Sequence, residues 1–162
     1  MSDIKIRKIA IEDNTKIATV IRDVLIEMGV PKVGTAYEDE ALDKMYETYD
    51  YPRRRYYVVE EKGNIIGGAG IAALEGGDSE TICELQKMYF LPCTRGKGIG
   101  FQMIQKCLEF AKEAGYVKCY LETMPYMEAA RKLYKRVGFL PLEKPMGDTG
   151  HYNCQAWMIK EL

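Results

Sequence analysis

The run "FLPCTRGKGIGFQMIQKCLEFAKEAG", residues 90–115, gathers groups able to do chemistry at one junction. An apolar stretch ends at Pro92, Gly96, Gly98 and Gly100 follow at alternate positions, and an amphipathic helix pattern begins at once. The first turn of a helix leaves backbone N–H groups unpaired and carries roughly half a positive charge. Glycines there admit φ > 0 and let a ligand approach the main chain. Arg95 and Lys97 add formal charge at the same mouth. Such a junction suits phosphate or diphosphate. A GxxxxGK[ST] loop is excluded because Gly98 follows Lys97. A GxGxxG dinucleotide fingerprint could begin at Gly96 and Gly98, with Glu122 at about the distance of a ribose contact, but Phe101 occupies the third glycine position. That reading stays open as an alternative.

The elements that must position this loop follow from periodicity. "IKIRKI" alternates as a strand, and Ile17, Val20, Ile21, Val24, Leu25 and Met28 share a helix face, with Asp13 or Asn14 as its cap. Ala41, Leu42, Met45 and Tyr49 stripe a second, shorter helix. "RYYVVEE", "KGN" and "IIGGAGIAAL" read as a β-hairpin, and "ETICELQKMYFL" as a further strand ending at Pro92. After the glycine loop and its helix, "YVKCYLET" is a strand. Tyr126, Ala130, Leu133, Tyr134 and Val137 stripe another helix, and "FLPLEK" and "HYNCQAWMIKEL" close the chain as strands. The order β-α-α-β-β-β-α-β-α-β-β predicts an α+β fold: a mixed, mostly antiparallel sheet of about seven strands with four helices on both faces.

At 162 residues the chain fits a single domain spanning 1–162. Its 24 acids against 23 Lys+Arg give no electrostatic reason to expect nucleic acid. The one basic run, Arg53-Arg54-Arg55, reads as a solvated entrance to an edge strand. No stretch reaches the length of a membrane span, and the N-terminus lacks an apolar signal core. Five scattered cysteines without a CxxC pair, and one histidine, argue against zinc or any other metal site and fit reduced thiols in a cytoplasmic protein.

Two motifs carry a resemblance. Arg95-x-x-Gly98-x-Gly100 resembles the acyl-CoA diphosphate loop, Q/R-x-x-G-x-G/A, of the GCN5-related N-acetyltransferase (GNAT) superfamily. "AARKLYKRVGF" resembles that family's A-x-x-L-Y-x-x-x-G-F helix, with Ala130, Leu133, Tyr134, Gly138 and Phe139 in register. The resemblance implies a GNAT-like acyl-CoA N-acyltransferase fold with a V-shaped split between the strand ending near Pro92 and "YVKCYLET". In it the main chain of Met88, Tyr89 and Phe90 would pair with the pantetheine arm. Arg95, Gly96, Lys97, Gly98, Ile99 and Gly100 would hold the diphosphate of acetyl-CoA. Met127 stands where the family often has a cofactor-contacting Asn.

The same resemblance implies transfer of an acetyl group to a primary amine by direct attack in a ternary complex. Tyr134 resembles the family's general acid, reaching the CoA sulfur. Glu84 is the first choice of base, because burial lifts a glutamate from about 4.3 towards a useful value. His151, in the loop before the last strand, is the second. The acidic, tyrosine-rich stretch "VPKVGTAYEDEALDKMYETYD" near the acceptor side would suit a cationic amine: a polyamine, an amino sugar, or a lysine or N-terminal amine. A non-catalytic acyl-CoA-binding regulatory module is the alternative from another class, and a homodimer is possible.

Overall fold

The computed structural model describes residues 3–125 and 127–162. Tyr126, assigned by its spacing to the last helix stripe, lies outside them. The chain forms β1 (Ile4–Lys8), α1 (Asn14–Glu27), α2 (Met45–Tyr49), β2 (Arg55–Glu61), β3 (Asn64–Ala73) and β4 (Ile82–Phe90). It continues with α3 (Ile99–Glu113), β5 (Lys118–Thr123), α4 (Glu128–Arg136), β6 (Leu140–Leu142) and β7 (Ala156–Glu161).

One seven-stranded sheet runs β1-β2-β3-β4-β5-β7-β6. Every pairing is antiparallel except β4 with β5. Alternation along the strands sorts the apolar side chains to two faces. Val59, Ile71, Cys83, Leu85 and Leu121 pack against Ile104, Cys107 and Ala111 of α3 and Tyr134 of α4. Tyr56, Val58, Ile65 and Ala72 pack against Ile17, Ile21 and Leu25 of α1 and Met45 and Tyr49 of α2. The sheet's middle is therefore buried on both sides, and function has to use its edges, ends or openings.

Several local expectations change. The second helix stripe is broken: Ala41 and Leu42 sit in a 3₁₀ turn, Glu40–Asp43, and the α-helix covers only Met45–Tyr49. Its start is capped from α1, where the Asn14 side chain accepts the Tyr46 N–H at 2.8 Å. Asp13 does not cap α1 with its side chain. It takes the Ala10 N–H and the Arg7 guanidinium instead, closing the preceding turn. The last strand begins at Ala156, not His151, because the Asn153 amide bonds across to Gly34 O at 3.0 Å and the Cys154 amide bonds back to His151 O. The arginine run is half-buried at Arg53 and Arg55 and exposed at Arg54, and each of its side chains also has a partner. Arg53 stacks on Tyr116 and donates to Ala114 O and Glu80 O, Arg54 stacks on Tyr51, and Arg55 stacks on Phe110. The strand it enters, β2, is internal, with β1 outside it.

Candidate active site

Strand β4 is the pivot of the site. It pairs with β5 only through Ile82, Cys83 and Glu84, opposite Lys118, Cys119 and Tyr120. Beyond Glu84 the two strands part, so the β5-facing edge of β4 has no strand partner up to Phe90. On the other edge, β4 fits Lys87 and Met88 where β3 has only Ala69, and Lys87 takes φ +50°. Such a bulge bends a strand and re-aims its side chains. The opening is a cleft of about 380 Å³. Its walls come from β4 (Lys87, Met88, Tyr89, Phe90), from the glycine loop, from the end of β5 with Glu122, and from α4 with Met127, Ala130 and Tyr134.

The glycine loop closes one end. Gly96 has φ +79° and Gly98 has φ +74°, both in the left-handed region, and a Cβ at either would meet open space. Conformation, not crowding, therefore requires glycine there, and the space in front stays clear for a ligand. Gly98 is the N-cap of α3 and supplies no side-chain cap. The amides of residues 96–101 have no hydrogen-bond partner among the described residues; the first α3 amide tied back to the loop is that of Gln102, to Gly98 O at 3.2 Å. A run of free amides at the positive end of a fifteen-residue helix is a ready anion site, and it fits a diphosphate. Gly100 has another reason to be small: a Cβ there would lie 2.8 Å from Leu133 Cδ2, so it lets α3 and α4 approach.

The two loop cations are placed differently from one another. Arg95 lines the cleft and is paired with Glu27 of α1 at 2.8 Å. Lys97 does not line the cleft and lies 3.8 Å from Glu61 of β2. Met127 caps α4 by position and lines the cleft, where its Sδ accepts from Thr123 Oγ1. Ile99 is buried at the start of α3. Tyr89 packs toward α1, whereas Met88 and Phe90 pack toward α3.

Tyr134 sits in the cleft wall with its ring edge-on to Phe139 at 6.0 Å. No buried polar side-chain atom lacks a partner among the described residues, and the Tyr134 hydroxyl has no protein partner, so it reaches open space. Burial pushes its pKa up, which keeps the phenol protonated at neutral pH.

The opposite end is a connected polar cluster on the α1–α2 side of the sheet. Glu84 is 4 % exposed. Its Oε1 accepts from Gln86 Nε2 at 2.7 Å, and Gln86 accepts from the Tyr49 hydroxyl at 2.6 Å. Burial pushes the Glu84 carboxyl up to about 7, with a smaller upward push from Glu122 and downward pulls from Gln86, His151 and Lys87. Glu122 accepts from the Tyr120 and Thr149 hydroxyls. Asp39 receives Lys87 Nζ at 3.1 Å and His151 Nε2 at 2.9 Å. Burial alone would raise Asp39, but His151 and Lys87 outweigh it and hold the carboxyl below its usual range. Burial disfavours imidazolium in turn, yet Asp39 draws His151 above its ordinary pKa. His151 is thus tied up as a partner of Asp39, with Nδ1 3.8 Å from Glu122.

The structure brings Met88, Tyr89, Phe90, Arg95, Gly96, Gly98, Ile99, Gly100, Met127 and Tyr134 into the wall of one opening, whereas Lys97, Glu84 and His151 do not line it. His151 lies behind the wall, on Asp39, the partner of Lys87, and 3.8 Å from Glu122. Sequence reasoning missed Lys87, Asp39, Gln86 and Tyr49, and took Glu122 only for a ribose contact. One signal was present: Gln86-Lys87 sets two polar residues side by side in an alternating strand, which marks a bulge. Asp39 and Tyr49 come from a different part of the chain and left no local sign. The dinucleotide arrangement is not formed, because the loop follows the antiparallel β3–β4 pair and the Glu122 carboxylate is held by Tyr120 and Thr149.

The comparisons with known proteins agree with this geometry. An uncharacterised N-acetyltransferase of Escherichia coli (strain K12), YjgM, is 43% identical over 157 residues, covering 96% of this chain and 93% of that one. A GNAT-family acetyltransferase from Staphylococcus aureus Mu50 superposes with a TM-score of 0.85 at 18% identity, over 98% of this chain and 99% of that one. The Salmonella typhimurium protein yncA, solved with its cofactor acetyl-CoA, gives 0.78 at 18% identity, over 99% and 94%. The sequence profile of the acetyltransferase (GNAT) family matches residues 22–139. With the split sheet, the free amides and the tyrosine in one cleft, this chain belongs to the GNAT family of acetyltransferases.

Proposed function

We propose that this acetyltransferase moves the acetyl group of acetyl-CoA to a primary amine by direct attack in a ternary complex. The observation that carries the reading is the run of free amides at residues 96–101 opening onto the same cleft as the Tyr134 hydroxyl. The amides hold the diphosphate, and the unpaired edge of β4 at Met88, Tyr89 and Phe90 lies along the pantetheine arm. The thioester then sits at the split, between Tyr134 and the polar cluster.

An amine arrives mostly as ammonium, with a pKa of about 10 for a lysine-like group, and must lose a proton before it attacks. Glu84, behind the cleft wall, takes that proton through a water, because a carboxyl poised near 7 is both ionised often enough and basic enough. The nitrogen lone pair forms the C–N bond to the thioester carbon. The main-chain N–H at Met88 donates to the carbonyl oxygen as negative charge develops. The C–S bond breaks, Tyr134 passes its proton to the leaving sulfur, and the second proton of the attacking nitrogen restores the phenol. The products are the N-acetylated amine and free CoA thiol. His151 is secondary here, since its Nε2 is engaged by Asp39.

The experiment is acetyl-CoA turnover measured by thiol release over an amine panel, for the wild type and for Tyr134→Phe. The variant is expected to bind acetyl-CoA as the wild type does and to lose about 10²-fold in kcat, the usual size of a general-acid contribution. Unchanged kcat would return Tyr134 to a packing role. Tight CoA binding with no turnover of any amine by the wild type would favour a binding module.

A further inference from the structure

The two ionisable side chains in the cleft wall at the acceptor end have opposite signs: Lys87 from β4 and Glu122 from β5. Both are deeply buried, at 7 % and 5 % side-chain exposure. Glu122 is well supported by two hydroxyls. Lys87 is not. Its ion pair to Asp39 Oδ2 is its one bonded contact to a carboxylate, and the same oxygen also takes His151 Nε2. One carboxylate therefore serves an ammonium and an imidazole, and an ammonium has three protons to place. A buried ammonium with incomplete pairing is costly. A chain needing only to anchor Asp39 already had His151 for that purpose.

The bulge explains how Lys87 comes to the cleft. With φ +50° it is displaced from the strand's alternation, between Gln86 on the acceptor face and Met88 on the α3 face. Lys87 is thus held in the wall beside the place where the two strands part. An acceptor without an anionic group would leave that charge unused.

We propose that the acceptor is an amino acid: Lys87 takes the carboxylate of the incoming molecule while Glu122, with Glu84 beyond it, faces the ammonium that becomes the nucleophile. This assignment rests on the acetyl-transfer reading above and names the substrate class for it. It departs from the polyamine, amino-sugar and lysine or N-terminal amine acceptors suggested by the acidic stretch 30–50. Those carboxylates are largely spent elsewhere: Asp43 on Arg22, Glu47 on Asn14, Glu38 on the Gly34 amide and Asp39 on Lys87 and His151.

The test measures kcat/KM with acetyl-CoA for free L-amino acids, for the carboxamide of each, and for spermidine and n-butylamine. In the wild type the best amino acid is expected to exceed its own carboxamide at least tenfold, and to exceed both amines. Lys87→Gln should erase that preference, cutting kcat/KM at least tenfold more for the acid than for its carboxamide by raising KM for the acid, and Lys87→Arg should restore part of it. Equal or better use of the carboxamide, spermidine or butylamine by the wild type overturns the proposal, as does an equal loss for acid and carboxamide in Lys87→Gln. The comparison within the wild type needs no variant to fold. If acetyl-CoA raises Tm but no compound in the panel is acetylated, the acetyl-transfer reading fails and this proposal falls with it.

Discussion

The two ends of the cleft are built from different materials. At the loop end the binding groups are main-chain amides, fixed by the helix that follows them and by two glycines with positive φ. At the acceptor end they are side chains from β4, β5, the α1–α2 segment and the loop before β7, each held by another. Backbone amides survive every substitution except proline, so outside the positive-φ glycines the anion site does not depend on particular side chains. Side-chain networks can be rewritten residue by residue. The contrast fits an enzyme with one fixed donor and a variable acceptor.

The largest expected effect breaks the loop end alone. Gly98→Glu places a negative charge where the diphosphate should lie and a side chain where φ is +74°. CoA affinity should fall at least 100-fold by calorimetry. A Cβ there meets nothing, so the fold should persist, less the cost of about 1–2 kcal/mol for a left-handed non-glycine residue. Unchanged affinity in a folded variant would remove the loop from the site.

The same contrast decides what was legible in the sequence. The loop is local: six residues specify a turn, a helix start and two cations, and periodicity supplies the strand before and the helix after. The succession of strands and helices along the chain, and helices on both faces of the sheet, were legible for the same reason. What could not be read were contacts between distant segments. Asp39 meets Lys87 and His151, and Tyr49 meets Gln86, only because α2 and the loop before β7 fold over the same face. Charge counting over residues 30–50 could not say which carboxylates were already paired. Even the loop held a surprise: Lys97 faces Glu61 and not the cleft.

A middle-sized effect tests the acceptor end. Glu84→Gln should lower kcat/KM by about 10²-fold and abolish the ascending limb that the wild type shows around pH 7. Stability should move the other way. The folded-state pKa of Glu84, about 7, lies above the ordinary glutamate value of 4.5, so its protonated form favours folding. That contribution is present below pH 4.5 and is lost as pH rises through 7. Above pH 8 the glutamine variant should therefore be the more stable, by up to about 3 kcal/mol, with the gap closing toward pH 4. Denaturant melts at both pH values check this. A fall in activity with no change in the pH profile would make Glu84 a packing residue.

The smallest effect joins the two ends of the comparison, because it concerns a side chain at the loop end. Arg95 lines the cleft, yet its guanidinium is paired in bidentate fashion with Glu27 at the end of α1, at 2.8 and 3.2 Å. Both groups are half-exposed, and such pairs are weak. A diphosphate entering the loop competes with Glu27 for Arg95, and Glu27 adds its own negative charge to the mouth. Glu27→Gln should consequently tighten CoA binding by about two- to fivefold at low ionic strength, the range expected of a surface pair, with the gain shrinking as salt is raised. The activity on saturating acetyl-CoA should not move, since nothing at the acceptor end touches Glu27. A loss of affinity in this variant would mean that Glu27 holds Arg95 in its binding position instead of diverting it. The loop end would then depend, like the acceptor end, on a side-chain network, and the division between the two would not hold.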